Sequence, residues 1–308
     1  MVANEIAIKP RGPFSWDAAN DVGRTFEPVR HNWQEAGAVR MTFLLDGTFA
    51  PVGVDLRYEN GELRGEVAGT SDLAAVEGQV ARVFSLDVDG STYPEIGRRD
   101  PAIGRLMEAL PGLRPVCFTS PYETAAWAVI SQRISMRQAA DIRSRLTADH
   151  GHTITLGGVG VRCFPTPERL LGVESIAGLA ATKVTRLHGV ARSALAGTLD
   201  CDRLRALGDE AGPDSVRVIP RIGPFWASGI YLRGCGIQDV FPDEPIAVAA
   251  LGMLLGLGDR PAMELVRDVT ARYAPFRTWV CFLLRVAINR GLIDGVAGNE
   301  MNLRRTHR

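Results

Sequence analysis

Lysine is nearly absent. Of the 35 basic residues only Lys9 and Lys183 are lysines, and the rest are arginines. Chemistry that needs a side-chain amine therefore has two places to start from. Cysteine is sparse as well: Cys117, Cys163, Cys201, Cys235 and Cys281 lie far apart and no Cys-x-x-Cys occurs. That spacing excludes a zinc ribbon and a compact cysteine-ligated cluster. The thiols are expected to be reduced and packed in the interior. No apolar run approaches the roughly 20 residues needed to span a bilayer. The opening stretch MVANEIAIKPRGPFSW lacks the apolar core of a secretory signal. A cytoplasmic protein without a membrane partner is expected. Net charge is zero, so bulk charge does not advertise a polyanionic ligand, but a local basic patch is sufficient for one.

With 308 residues the chain is long enough for two domains. Residues 1–97 read as an α+β domain with an antiparallel sheet. MTFLLD, VGVDLRYENGELRGEVAG and FSLDVDG alternate β-branched or aromatic residues with polar ones. The Asn60-Gly61 pair between two such runs is a hairpin signal. Residues 71–84 have helical spacing, with Ser71 as the expected N-cap. From Asp100 onward amphipathic helix dominates, at residues 101–110, 121–131, 136–149, 187–196, 225–233, 261–273 and 276–289. An all-α domain over 98–291 is therefore expected, followed by a frayed tail at 292–308.

The densest information lies in VIPRIGPFWASGIYLRGCGIQDVFPDEPIAV, residues 218–248. Residues 219–224 form a Pro- and Gly-bearing turn between helical stretches. Such a turn exposes backbone N–H groups at the start of the next helix, where they and the helix dipole favour a phosphate. Contacts of that kind position a protein on a backbone without reading its sequence.

This segment resembles the hairpin of the helix-hairpin-helix (HhH-GPD) DNA glycosylase superfamily, in its 3-methyladenine glycosylase II, AlkA-like branch. Ile219-Pro220, Ile222-Gly223-Pro224, Ala227, Ile230, Leu232-Arg233-Gly234 and Asp239-Val240-Phe241-Pro242 fit the family pattern. Further blocks follow in order: Ser120-Pro121-Tyr122-Glu123 with Ser131-Gln132-Arg133-Ile134-Ser135, then Phe164-Pro165-Thr166-Pro167-Glu168, then Ala274-Pro275-Phe276-Arg277-Thr278-Trp279. The resemblance covers roughly residues 100–291. It implies an α+β amino-terminal domain followed by an all-α helix-hairpin-helix glycosylase domain, with double-stranded damaged DNA as partner and no obligate protein partner. It further implies base-excision repair by hydrolysis of the N-glycosidic bond of alkylated purines such as 3-methyladenine and 7-methylguanine, once the base has left the stack. Phe225, Trp226, Trp127, Phe276 and Trp279 are the expected base pocket, whose ring faces suit a cationic base. Gln132, Arg133, Ser135, Arg221, Ile222, Gly223 and Pro224 are the expected DNA contacts. Phe225 stands where lyase-type relatives carry a Schiff-base lysine, which implies a monofunctional enzyme. The cysteine quartet of the iron–sulfur branch is absent. No cofactor and no metal are expected.

The chain departs from the pattern in two places. Counted without a gap from Gly223, the family's essential aspartate falls on Pro245, which can act neither as acid nor as base. Three readings stand: Glu244 supplies the carboxylate, Asp243 or another acid does, or the protein binds damaged DNA without excising. Independently of any chemistry, Asp243-Glu244-Pro245 suits a helix start. The second departure is Arg221, in place of the hairpin's first glycine.

Overall fold

A computed structural model describes residues 4–27, 29–30 and 39–293. In chain order the elements are β1 (Glu5–Ile8), α1 (Trp16–Thr25), β2 (Val39–Leu44), β3 (Pro51–Glu59), β4 (Glu62–Ala68), α2 (Leu73–Val83), α3 (Pro94–Arg99), α4 (Pro101–Ala109), α5 (Pro121–Ser131) and α6 (Met136–His150). Then come β5 (His152–Leu156), β6 (Val159–Cys163), α7 (Pro167–Leu171), α8 (Ala181–Leu195), α9 (Cys201–Val216), α10 (Pro224–Gly229), a π-helical stretch (Ile230–Gly234), α11 (Pro245–Leu254), α12 (Met263–Thr270) and α13 (Arg277–Asn289). The antiparallel sheet followed by a mainly helical region is the expected fold class. The expected tail lies outside the described residues from 294 onward.

The described residues fall into two compact units that interleave along the chain. One draws on the described residues within 1–10, 20–87 and 116–236, the other on those within 11–19, 88–115 and 237–308. The change at residue 97 is one of secondary-structure content; the compact units divide the chain differently.

In the first unit a sheet of order β1-β4-β3-β2 is antiparallel throughout. Asn60 and Gly61 both take positive φ, 54° and 80°, and close the β3–β4 hairpin as expected. Buried Gln79 of α2 serves three backbone groups: its Nε2 donates to the carbonyls of Leu44 (3.0 Å) and Thr119 (2.9 Å), and its Oε1 accepts from Asp46 N–H (2.9 Å). A carbonyl buried there without a donor would cost about 1–3 kcal/mol. Every residue of α5 is buried, so α5 is the axis on which α6, α8, α10 and the π-helical stretch pack. Gly234 is required by that packing: a Cβ there would sit 2.9 Å from Pro121 Cα. At the start of α5, Ser120 caps the helix and the buried Glu123 pairs with Arg143 of α6.

In the second unit α13 packs on α4 and α11. Its first turn carries a dense aromatic cluster in which Tyr93, Phe276 and Trp279 meet at centroid distances of 5.0–5.3 Å. The buried Arg114 guanidinium lies 5.0 Å from the Trp279 ring and donates to the Pro13 carbonyl at 2.8 Å.

Three expectations are corrected. Residues 84–90 form no strand: Phe84 caps α2, Ser85 turns the chain with φ 53°, and the alternation reflects burial of Leu86 and Val88 as loop side chains. The N-cap of α2 is Asp72, whose carboxylate accepts from Ala75 N–H at 3.1 Å, not Ser71. The helical region also holds an unexpected two-stranded hairpin, β5–β6, turned at Gly157 and Gly158, both with positive φ.

Removing Arg143 would strand the buried Glu123 carboxylate. Arg143→Met is expected to lower unfolding free energy by about 3–5 kcal/mol, read from urea denaturation. Adding Glu123→Gln should restore most of the loss, because the stranded charge disappears with it.

Candidate nucleic-acid interface and carboxylate site

The first unit brings together two segments expected at DNA, residues 132–135 and the hairpin 219–224. The hairpin is anchored from inside by Ile219 and Ile222, which are buried, and presents Arg221, Gly223 and Pro224 outward. Ile222 N–H returns to the Ile219 carbonyl at 3.1 Å. Arg221 takes φ 69°, the left-handed region in which a non-glycine residue costs about 1 kcal/mol or more. The turn thus adopts a backbone that suits glycine while presenting a guanidinium. Gly223 is the N-cap of α10 and supplies no side-chain acceptor, and Pro224 follows at N1. The N–H groups of the first helical turn are then left to solvent or a ligand.

Residues 132–135 follow the buried α5. Gln132 leaves the helix in an extended conformation and Arg133 turns left-handed at φ 58°. Arg133 is exposed. Ser135 caps α6 in a capping box, with Gln138 N–H donating to its hydroxyl at 3.2 Å and Ser135 N–H donating to Gln138 Oε1 at 3.1 Å. Its hydroxyl is therefore a structural acceptor first. Gln132 joins the two segments: its Nε2 donates to the Arg221 carbonyl at 3.2 Å, and its Oε1 accepts from Arg186 of α8 at 3.3 Å.

Lys183 carries no site motif in the sequence, yet the structure gives it two partners. Its ammonium donates to the carbonyls of Ile130 (2.7 Å) and Gln132 (2.6 Å), at the carboxyl end of α5. Burial, and then the Arg186 guanidinium, lower its pKa from the ordinary lysine value. The available signal was its rarity, as one of two lysines where arginine is otherwise used.

Of the five expected pocket aromatics, Phe225 and Trp226 reach the surface. Phe225 is 57% exposed and Trp226 half-buried, edge to face at 5.5 Å on the first turn of α10. Trp127, Phe276 and Trp279 are each at most 2% exposed. They are core side chains here: Trp127 lies within α5, and the other two belong to the aromatic cluster of the second unit.

In the second unit, Glu244 is the N-cap of α11. Its Oε2 accepts from Ala247 N–H at 2.7 Å, and its Oε1 lies 3.5 Å from Arg285 Nη1 of α13. Pro245 occupies N1 and Asp243 is exposed. The loop before Glu244 is pinned to the start of α13. Arg277 forks onto Asp239 at 2.8 and 3.0 Å, and Thr278 Oγ1 donates to the Val240 carbonyl at 2.7 Å. Paired donors of this kind fix geometry as well as charge.

No family model matches the chain. Over 216 residues, 68% of this chain, it is 27% identical to the probable bifunctional transcriptional activator/DNA repair enzyme AlkA of Mycobacterium tuberculosis, and that stretch is 42% of the relative. The chain thus spans less than half the length of that protein. It is 28% identical over 242 residues to DNA-3-methyladenine glycosylase 2 of Escherichia coli, covering 71% of this chain and 80% of the relative. Among solved structures, the 3-methyladenine DNA-glycosylase of Archaeoglobus fulgidus is similar at a TM-score of 0.75 and 22% identity, covering 92% of this chain and 98% of the other. Sheet, helices and hairpin therefore define a helix-hairpin-helix glycosylase fold. Within that class the chain is similar to AlkA-like 3-methyladenine DNA glycosylases, at up to 28% identity among these relatives.

The N-cap role of Glu244 separates two substitutions. Glu244→Ala removes the acceptor and should cost about 1 kcal/mol, seen as a lower melting temperature. Glu244→Gln keeps an oxygen for Ala247 N–H and should melt close to the parent.

Proposed function

We propose that the protein is a monofunctional DNA glycosylase of base-excision repair that hydrolyses the N-glycosidic bond of alkylated purines in duplex DNA. The observation that carries the catalytic reading is the placement of Glu244. Its carboxylate is fixed at the N-terminus of α11 between Ala247 N–H and Arg285, on a loop pinned by Arg277 and Thr278. As the alkylated base leaves, positive charge develops on the sugar. A pre-positioned carboxylate stabilises that charge and orients the attacking water. The exposed rings of Phe225 and Trp226 offer faces for a cationic base. The hairpin around Arg221 and the Gln132–Arg133 turn supply the contacts to the duplex. Neither lysine is offered as a Schiff-base nucleophile: the Lys183 ammonium is committed to two carbonyls, and Lys9 lies on the segment following β1. The names of the related glycosylases point to 3-methyladenine-type substrates.

A second reading, lesion binding without excision, draws on the same place. Both Glu244 oxygens already have structural partners, and Pro245 follows directly. Release of 3-methyladenine and 7-methylguanine from methylated duplex DNA separates the two. The parent should release base and Glu244→Gln should lose about 100-fold or more of the rate, with duplex affinity kept. Equal release by both would remove Glu244 from the mechanism, and no release by the parent would leave the binding reading.

Arg221→Gly should leave the melting temperature nearly unchanged, since glycine accepts the turn's positive φ. The slope of log affinity against log salt should fall by about 0.9, the loss of one phosphate contact. An unchanged slope would place Arg221 away from the backbone.

A further inference from the structure

Among the described residues, two of the five non-glycine positions with positive φ are Arg133 and Arg221, one in each segment assigned to DNA. Non-glycine residues hold that conformation only where the surroundings over-determine it. Here the surroundings converge on Gln132. Its amide holds the Arg221 carbonyl, its own carbonyl is held by Lys183, and its side-chain oxygen is held by Arg186. Lys183 also holds the Ile130 carbonyl, one of the last acceptors of α5, which would otherwise lack an intrahelical partner. The chain of bonds runs from α8 through Gln132 to the hairpin, shortest at Lys183 (2.6 and 2.7 Å) and longer at Gln132 Nε2 and Oε1 (3.2 and 3.3 Å). Lys183 is half-buried beneath the turn rather than exposed on it, as Arg133 and Arg221 are.

We infer that Lys183 is a positioning residue for DNA engagement: by holding the Ile130 and Gln132 carbonyls it pre-sets the Gln132–Arg133 turn, and through Gln132 the Arg221 hairpin, in the geometry that meets a duplex. The inference rests on the DNA-binding part of the proposed function. Lys183 itself touches neither phosphate nor base. Without it, the turn relaxes toward conformations free of positive φ, and the binding-competent fraction falls. Apparent affinity falls with that fraction, while the number of phosphate contacts in the complex stays the same.

The experiment compares the full chain with Lys183→Met and Lys183→Arg, using a fluorescent duplex with one abasic-site analogue and anisotropy at several salt concentrations. Lys183→Met should bind about tenfold more weakly, with a salt slope equal to the parent's. Lys183→Arg, which can still donate to both carbonyls, should recover most of the affinity. Loss of melting temperature with unchanged affinity would overturn the inference and leave Lys183 a stability residue only. A slope lower by about 0.9 would overturn it differently, by making Lys183 a phosphate contact. Where Lys183→Met does not fold, Lys183→Gln keeps one donor and should fall between parent and full loss, and parental binding by it would count against the inference. A parent that shows no salt-sensitive duplex binding would instead sink the proposed function, a result distinguishable from all of these.

Discussion

The arrangement depends on how the carboxyl end of one buried helix is satisfied. α5 is buried along its whole length, so its last carbonyls cannot all turn to water, and an unmet carbonyl there is costly. A lysine from α8 meets one of them, that of Ile130, together with the carbonyl of the Gln132 cap that follows. Once that end is fixed, the chain leaves the helix in one direction, Arg133 is pushed into a left-handed turn and Gln132 is aimed at the hairpin. Backbone satisfaction in the interior thereby dictates what the surface presents.

A similar economy holds in the second unit. Glu244 begins a helix and is also the carboxylate that the proposed chemistry would use. The two demands agree in part, since both want a carboxylate held still at a helix N-terminus. Pro245 serves only the first, because its fixed φ and missing N–H suit position N1. The pinning of residues 238–240 by Arg277 and Thr278 supplies rigidity that the short loop could not generate alone.

Much of this was legible in the sequence, for identifiable reasons. Asn60-Gly61 declared its hairpin because few residue pairs accept two positive φ values. Gly157-Gly158 carries the same signal between TITL and VGVRC, but helical neighbours on both sides mask it. The ordered motifs located the helix-hairpin-helix half, and Arg221 was marked as the position where a glycine is normally used. What stayed hidden depends on three-dimensional partners. Aromatics at helical spacing look alike whether they line a cleft or fill a core, and Trp127, Phe276 and Trp279 fill one. Lys183 has no local motif: its role exists only because the end of α5 lies beside α8. Asp72 rather than Ser71 takes the cap, because helix starts shift by a residue with little energetic difference.

The interleaving of the two units sets an order of assembly during synthesis. The first unit has all its segments once residue 236 has been made, including β1–β6, α5 and the hairpin. The second holds α3 and α4 early but waits for residues 237–293, with α11 to α13, before its core can close. At ribosomal speeds of about 5–20 residues per second, the face of α4 that packs on α13 waits several seconds for its partner. Chain order thus makes the segment of residues 88–115 the stretch most in need of protection while the protein is being born.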